Sequence, residues 1–299
     1  MLYQKYRPTK FEQVVGNATT VTSLKYVTKT KDVHTFLFTG PTGCGKTTLA
    51  RIVAKELGAS DNSIIEVDSA QFRGIDTIRD IRQKSQFVPL EGTIKVWIID
   101  EVHQLSKDAQ NAFLKILEDT PQHVYFILCT TDPQKLIKTI QSRCSTYSVE
   151  PLNKQEMYTL LRRIVKAEKA TLSKDMYLNI IKSSEGRPRE AIQILEKIIK
   201  VPEGEEGDLS ALTNNVEQES IELCRALAKG ASWKTIRTIL QGLKNEDPER
   251  IRRHVLGYFS AILLNKDDQR IAGLMEEFLE PFYNTGFPGL VYACYSCTK

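Results

Sequence analysis

The stretch TFLFTGPTGCGKTT, residues 35–48, limits the fold more than any other part of the sequence. It opens on an apolar run with the look of a strand. It then passes through a G-x-x-x-x-G-K-[ST] loop in which Gly40, Gly45, Lys46 and Thr47 take the fixed positions, and it continues into a helical period over 46–57. Glycines let successive backbone N–H groups curl around phosphate oxygens, and the helix that follows directs its positive end at the same anion. The loop from Gly40 through Pro41, Thr42, Gly43, Cys44, Gly45, Lys46, Thr47 and Thr48 is therefore expected to hold a nucleotide. Lys46 is placed to supply a point charge to the outer phosphates, and the Thr47 hydroxyl a ligand for Mg²⁺.

The same alternation repeats. Apolar runs at 35–39, 64–67, 94–100, 124–130 and 145–149 are separated by helical stretches near 46–57, 76–86, 106–118 and 133–141. Continuously apolar strands alternating with helices predict a parallel sheet covered on both faces. From Pro151 onward the strand signals stop. Helical spacing of Leu160, Leu161, Ile164 and Val165 predicts one helix, and two more are expected near 174–184 and 188–200. VPEGEEGDLS reads as a linker. Asp247–Pro248–Glu249 has the capping carboxylate, first-turn proline and early acid of a helix start. The expected division is an α/β P-loop domain at 1–150, a helical lid at 151–201, a linker at 202–210 and an all-α domain at 211–299.

Asp100 ends the third apolar run, where a carboxylate can reach a metal shell, and Glu101 follows at once as the natural base for an attacking water. His103 has the look of a structural loop histidine. Thr130 and Thr131 end the fourth run beside Asp100, so either can bond the γ-phosphate or the water. Pro188 opens a helix that carries Arg189 in its first turn, with Arg187 beside it. A cation there opposes the helix dipole by roughly 0.3–1 kcal/mol. A nearby anion would relieve that, so Arg189 is expected to reach a nucleotide phosphate. Arg143 has no obvious acidic partner close by in sequence. If it lies on the far side of the domain from its own phosphate loop, it would serve a neighbouring subunit as an arginine finger.

Composition narrows the class. The 299 residues are 41% hydrophobic and 26% charged, and 41 Lys+Arg against 37 Asp+Glu give a net charge of +4. That is too small to announce a nucleic-acid binder by itself, so any basic footprint must be local. No apolar run approaches the roughly 18–20 residues of a membrane span, and MLYQKYRPTKF lacks the apolar core of a signal peptide. Five of the six cysteines lie inside periodic segments or the loop. Cys294 and Cys297 form one CxxC that no second pair completes, so packing on a helix face is expected. A reduced, cytoplasmic setting follows.

Taken in order, YQKYRPTKFEQVVGN, GPTGCGKTT, IIDEVHQLS, LEDTPQHVYFILCTTDPQKL, IQSRC and GRPREAI closely resemble the AAA+ ATPase subunits of sliding-clamp loaders. These are the gamma and tau subunits of bacterial DNA polymerase III and the small subunits of replication factor C. The likeness spans residues 3–195; beyond it only size and helicity agree. It implies an AAA+ domain, a lid and a C-terminal collar. It also implies ATP and Mg²⁺ as ligands, and ATP-driven opening of a clamp on primer–template DNA by a ring-like, five-membered spiral of subunits. Carried onto this sequence, Lys46 and Thr47 are Walker A, Asp100 and Glu101 Walker B, and Thr131 sensor 1. Arg143 becomes the trans-acting finger and Arg189 sensor 2. Tyr6, Arg7 and Pro8 match the adenine-side segment, with Val14 and Val15 lining the pocket.

There are departures. Bacterial gamma and tau carry a four-cysteine zinc module after the phosphate loop, whereas ELGASDNSIIEVD runs straight through here, so no zinc is expected. No long tail follows the collar, and a compact virus-encoded or archaeal-like version fits that length. The family sets the segment SAQFRGIDTIRDIRQKSQ against DNA, which makes Arg73, Arg79 and Arg82 candidates to track phosphates, with Lys107 and Asn111 as lesser ones. Two other readings stand beside this one. The chain could be another AAA+ DNA motor, such as a branch-migration helicase or helicase loader. It could also be an inactive scaffold subunit, against which the intact Lys46, Asp100 and Glu101 count.

Overall fold

The structure, a computed structural model, describes residues 1–89, 91–200, 216–244, 246–282 and 285–298. The linker expected at 202–210 lies outside the described residues. The chain divides into two compact units: Met1–Lys200, and the described residues that follow.

Five parallel strands form the centre of the first unit: β1 Thr35–Thr39, β2 Ile64–Asp68, β3 Lys95–Asp100, β4 Val124–Thr130 and β5 Ser145–Ser148, in the order β2-β3-β4-β1-β5. The strand side chains alternate between two cores, as a pleated strand requires. Phe36, Phe38, Val96 and Ile98 point to one face, where Leu49, Val53 and Leu57 of α3 (Lys46–Leu57) and Leu24 of α2 (Ala18–Thr30) cover them. Leu37, Trp97, Ile99 and Phe126 point to the other face, under Ile78 and Ile81 of α4 (Ile75–Ser85) and Phe113 of α5 (Lys107–Glu118). Burial on both faces is why β1, β3 and β4 read as unbroken apolar runs.

Two helices precede β1 that the sequence pattern does not announce. α1 (Leu2–Lys5) is one turn long, and α2 buries only Leu24 and Thr28 completely. The helical stretch expected over 133–141 is also divided. A short turn at Pro133–Lys135 is followed by extended backbone at Leu136 and Ile137, and α6 runs Lys138–Arg143. The break lets Leu136 and Ile140 both enter the core.

Three helices complete the first unit: α7 Lys154–Ala167, α8 Lys174–Ser183 and α9 Pro188–Ile199. α7 starts on a reciprocal cap, Asn153 with Glu156. Two glycines let backbone segments meet closely. A Cβ on Gly40 would lie 2.2 Å from the Val149 carbonyl oxygen, and one on Gly186 would lie 2.6 Å from that of Leu152. Gly186, at φ 77°, accepts a 2.8 Å hydrogen bond from the Leu152 amide. This bond ties the turn before α9 to the chain leaving β5.

Among the described residues, the second unit holds helices α10 Val216–Lys229, α11 Trp233–Gly242, α12 Pro248–Asn265, α13 Gln269–Glu276 and α14 Gly286–Ser296. Their core gathers Leu223, Leu240, Val255, Phe259, Phe278 and Leu290, among others. Asp247 caps α12 as its sequence predicts. Glu249 does more than favour the helix start. It is buried, it takes the Arg252 guanidinium at 3.0 Å on both oxygens, and it accepts the Phe282 amide. Cys294 is buried in this core, where burial raises its thiol pKa, and burial pushes the Cys297 thiol up to about 12. Both behave as packing residues.

Candidate nucleotide site

β1 lies between β4 and β5, and Asp100 ends β3 on the other side of β4. The loop after β1 and the acids after β3 thus meet at the carboxyl end of the sheet, where open α/β sheets bind ligands. A cleft there encloses about 1090 Å³, open solvent at its mouth included. Thr42, Gly43, Cys44, Gly45, Lys46, Thr47 and Thr48 line it, as do Asp100, Glu101 and Arg189. Tyr6, Arg7, Pro8, Val14 and Val15 line it from the N-terminal segment. Gly40 and Pro41 do not. Their carbonyls accept the Lys46 ammonium at 2.9 and 3.0 Å.

Lys46 is a buried cation whose only described partners are carbonyl dipoles of its own loop. Such an ammonium is held where a stronger acceptor, a phosphate oxygen, would be bound in preference. The Thr47 hydroxyl donates to Asp100 Oδ2 at 2.8 Å, which brings the two expected metal-holding oxygens together. Thr47 and Asp100, both oxygen donors, suit a hard cation such as Mg²⁺. Burial first, then the neighbouring Arg51 charge, lowers the Arg7 pKa from its ordinary value, and Arg189 adds to the repulsion. Several cations therefore converge on one cleft, an arrangement that favours a polyanion.

Arg189 sits at the start of α9, its amide 3.4 Å from the Gly43 carbonyl and its guanidinium 5.9 Å from the Tyr3 ring centroid. Arg187 differs. It pairs with Glu185 and, at 3.4 Å, with Glu190, so its counter-charge lies in its own turn.

Glu101 is closely tied. Glu101 has a left-handed backbone, φ 48° and ψ 43°, and its Oε2 accepts the Thr131 hydroxyl at 3.1 Å. Of the two threonines, Thr131 is the one that reaches the base. Thr130 is fully buried, and its oxygen receives the Asp132 amide at 3.1 Å.

Arg143 does not line the cleft. The sequence offers it no close acidic neighbour, yet the fold supplies one. Its guanidinium pairs with Glu118 at the end of α5 and donates to the Thr139 carbonyl at 3.2 Å. The pair is partly exposed, with side-chain accessibilities of 35% and 47%. Among the DNA candidates, Arg73 bonds the Ala70 carbonyl at 3.0 Å and Arg79 pairs with Asp76 at 2.9 Å, while Arg82, Lys107 and Asn111 are exposed. A 3.1 Å bond from the Ser106 amide to the Arg73 carbonyl joins this segment to the start of α5.

Sequence reasoning misses Tyr3, Gln13, Asn17, Leu152, Leu160, Arg163 and Ile192 on the cleft wall. Leu160 and Ile192 carry only the signal of core residues, because a helix face that covers a ligand looks like one that covers protein.

A family model described as DNA polymerase III, delta subunit, matches residues 58–153. The tau subunit of DNA polymerase III from Bacillus subtilis is 34% identical over 92% of this chain and 54% of its own length. The tau subunit from Escherichia coli is 30% identical over 81% of this chain and 44% of its own. The gamma/tau subunit of Mycobacterium tuberculosis strain H37Rv is 28% identical, over 88% and 50%. The homologues of this chain are DNA polymerase III gamma and tau subunits. The chain spans about half the length of the curated relatives it matches. Among solved structures, the Thermotoga maritima RuvB Holliday junction branch migration motor aligns with a TM-score of 0.59 at 19% identity, covering 79% of this chain and 85% of that one. The sheet order, the phosphate loop and the helices that follow make this the AAA+ fold.

Proposed function

We propose that this chain is the ATP-hydrolysing subunit of a sliding-clamp loader. One observation carries the chemistry: the Thr47 hydroxyl meets Asp100 at 2.8 Å beneath a phosphate loop whose lysine is buried, with Glu101 the next residue. The relatives' printed names carry the replication context.

On this reading Lys46 exchanges the Gly40 and Pro41 carbonyls for phosphate oxygens. Tyr6, Arg7, Pro8, Val14 and Val15 enclose the base and sugar, and Arg189 reads the outer phosphate from the lid. Thr47 and Asp100 would hold Mg²⁺, which supplies charge neutralisation across the outer phosphates. Glu101 accepts the proton of the attacking water while Thr131 steadies its carboxylate. Arg143 leaves Glu118 to complete the site of the next subunit in a spiral, expected to have five members and to sit at a cytoplasmic replication fork. Arg73, Arg79, Arg82, Lys107 and Asn111 run along the DNA backbone inside that spiral. In keeping with a soluble setting, no helix among the described residues is long and apolar enough to cross a membrane.

The test is ATP turnover with primed DNA, with clamp, and with both. Stimulation that needs both supports clamp loading, and loss of that stimulation when Arg79 and Arg82 are neutralised supports the DNA track. Stimulation by DNA alone supports instead a branch-migration-type motor, which the RuvB likeness keeps in view. No turnover in any arm defeats the enzymatic reading.

A further inference from the structure

His103 is the histidine after Walker B, and nothing so far assigns it a part. It does not line the cleft, and its side chain is only 7% accessible. Its Nδ1 stands 3.3 Å from Glu101 Oε2 and 3.0 Å from the Thr130 hydroxyl oxygen, and its Nε2 stands 3.0 Å from the Gln104 side-chain nitrogen. An amide nitrogen can only donate, so a neutral ring must accept at Nε2 and carry its proton on Nδ1. That proton goes to Thr130 Oγ1, with the Glu101 carboxylate in close contact beside it.

Glu101 itself is in a left-handed conformation that residues other than glycine rarely enter unless the surroundings hold them there. One hydrogen bond and one close contact supply that hold, and both meet the same oxygen: the Thr131 hydroxyl donates to Oε2 at 3.1 Å, and His103 Nδ1, hydrogen-bonded to Thr130, stands against Oε2 at 3.3 Å. Oε1 has no partner among the described hydrogen bonds.

We infer that His103 is a positioning residue for the hydrolytic base: with its tautomer set by Gln104, it and Thr131 pin Oε2 of Glu101 and leave Oε1 to take the proton from water. The inference rests on the ATPase reading for its catalytic consequence, but its geometric half stands without it. A carboxylate that rotates freely presents either oxygen in many directions, whereas one pinned at a single oxygen presents the other in one direction. The gain belongs to the hydrolytic step alone, because no described hydrogen bond or ion pair of the His103 ring goes to the phosphate loop or to the expected metal-holding oxygens.

Two measurements test this. The first uses the full chain without nucleotide and reads the ring-nitrogen shifts of its four histidines. His103, identified by the signal lost in His103→Asn, should be neutral with the proton on Nδ1. A proton on Nε2 overturns the inference whether or not the chain hydrolyses ATP. The second follows single-turnover ATP hydrolysis in the assembled complex, with enzyme in excess. His103→Ala should slow hydrolysis about tenfold, with ATP affinity kept within about twofold, as expected when a charged base loses a polar neighbour that orients it. His103→Asn keeps a donor near the Nδ1 position and should recover most of the rate. A wild-type rate in His103→Ala overturns the inference, and so does an equal loss in both variants. An assembled wild-type complex no faster than one carrying Lys46→Ala overturns the ATPase reading instead, and the nitrogen shifts then still decide where the proton sits.

Discussion

Two of the molecule's arginine–glutamate pairs lie in opposite settings. In the second unit, Arg252 and Glu249 are almost wholly enclosed, with side-chain accessibilities of 12% and 4%, and Glu249 also satisfies the Phe282 amide while Arg252 bonds the Phe278 carbonyl at 2.9 Å. In the first unit, Arg143 and Glu118 meet at the surface. The chemistry is the same and the energetics are not. Breaking an enclosed pair strands a charge away from water and costs about 3–5 kcal/mol. An exposed pair is worth about 0.2–1 kcal/mol, because water takes over whatever is released. Glu249 is therefore part of what folds the helical unit. Glu118 is a partner that Arg143 can give up cheaply, as a side chain must if it is to be handed to another subunit.

Three changes break or sharpen this contrast. The largest effect is expected from Arg143→Ala. In an assembled complex it should lower ATP turnover by about 10³-fold, the scale of a finger's contribution, while leaving the isolated chain's rate and unfolding midpoint nearly unchanged. Undiminished turnover in the complex would show that Arg143 serves no neighbour. Next comes Glu249→Ala, expected to destabilise the second unit by about 3–5 kcal/mol. Hydrogen exchange should lose its protection over α10–α14 and keep it over β1, β3 and β4. Uniform loss would mean that the two units unfold as one. The smallest effect belongs to Glu118→Gln. Stability should move by less than about 1 kcal/mol, and turnover in the complex should hold or rise, because the finger is freed. A fall in turnover would mean that Glu118 aims Arg143 rather than merely resting against it.

The sequence made the sheet and the phosphate loop legible because both obey local rules. Strands buried on both faces must be apolar at every position, so β1, β3 and β4 stand out, and the loop's glycines and lysine occupy fixed positions. Asp100 and Glu101 could be recognised because they end such a strand. What stayed hidden depends on contacts between distant positions. Nothing near Arg143 points to Glu118, since the two meet only after α5 and α6 pack. His103 gave no sign of its link to Glu101, which needs β4 alongside to bring Thr130 and Thr131 into place. α2 was hidden for a different reason: its threonines blur the apolar stripe, and only Leu24 among its apolar residues is fully buried. Glu249 looked like a favourable charge at a helix start, and its burial becomes visible only once Phe282 folds over it.

The bond from the Leu152 amide to the Gly186 carbonyl acts as a mechanical linkage. At Gly186 any larger residue would be driven into Leu152, so the two backbones are clasped with no slack between them. Arg189 stands three positions beyond this clasp, and β5, which begins two positions after Arg143, leads into it. A swing of α9 as Arg189 closes on a phosphate would pull on the outgoing end of that strand. If Arg189 reads one subunit's nucleotide and Arg143 acts on the next, as proposed, the two devices are geared to the same short length of chain.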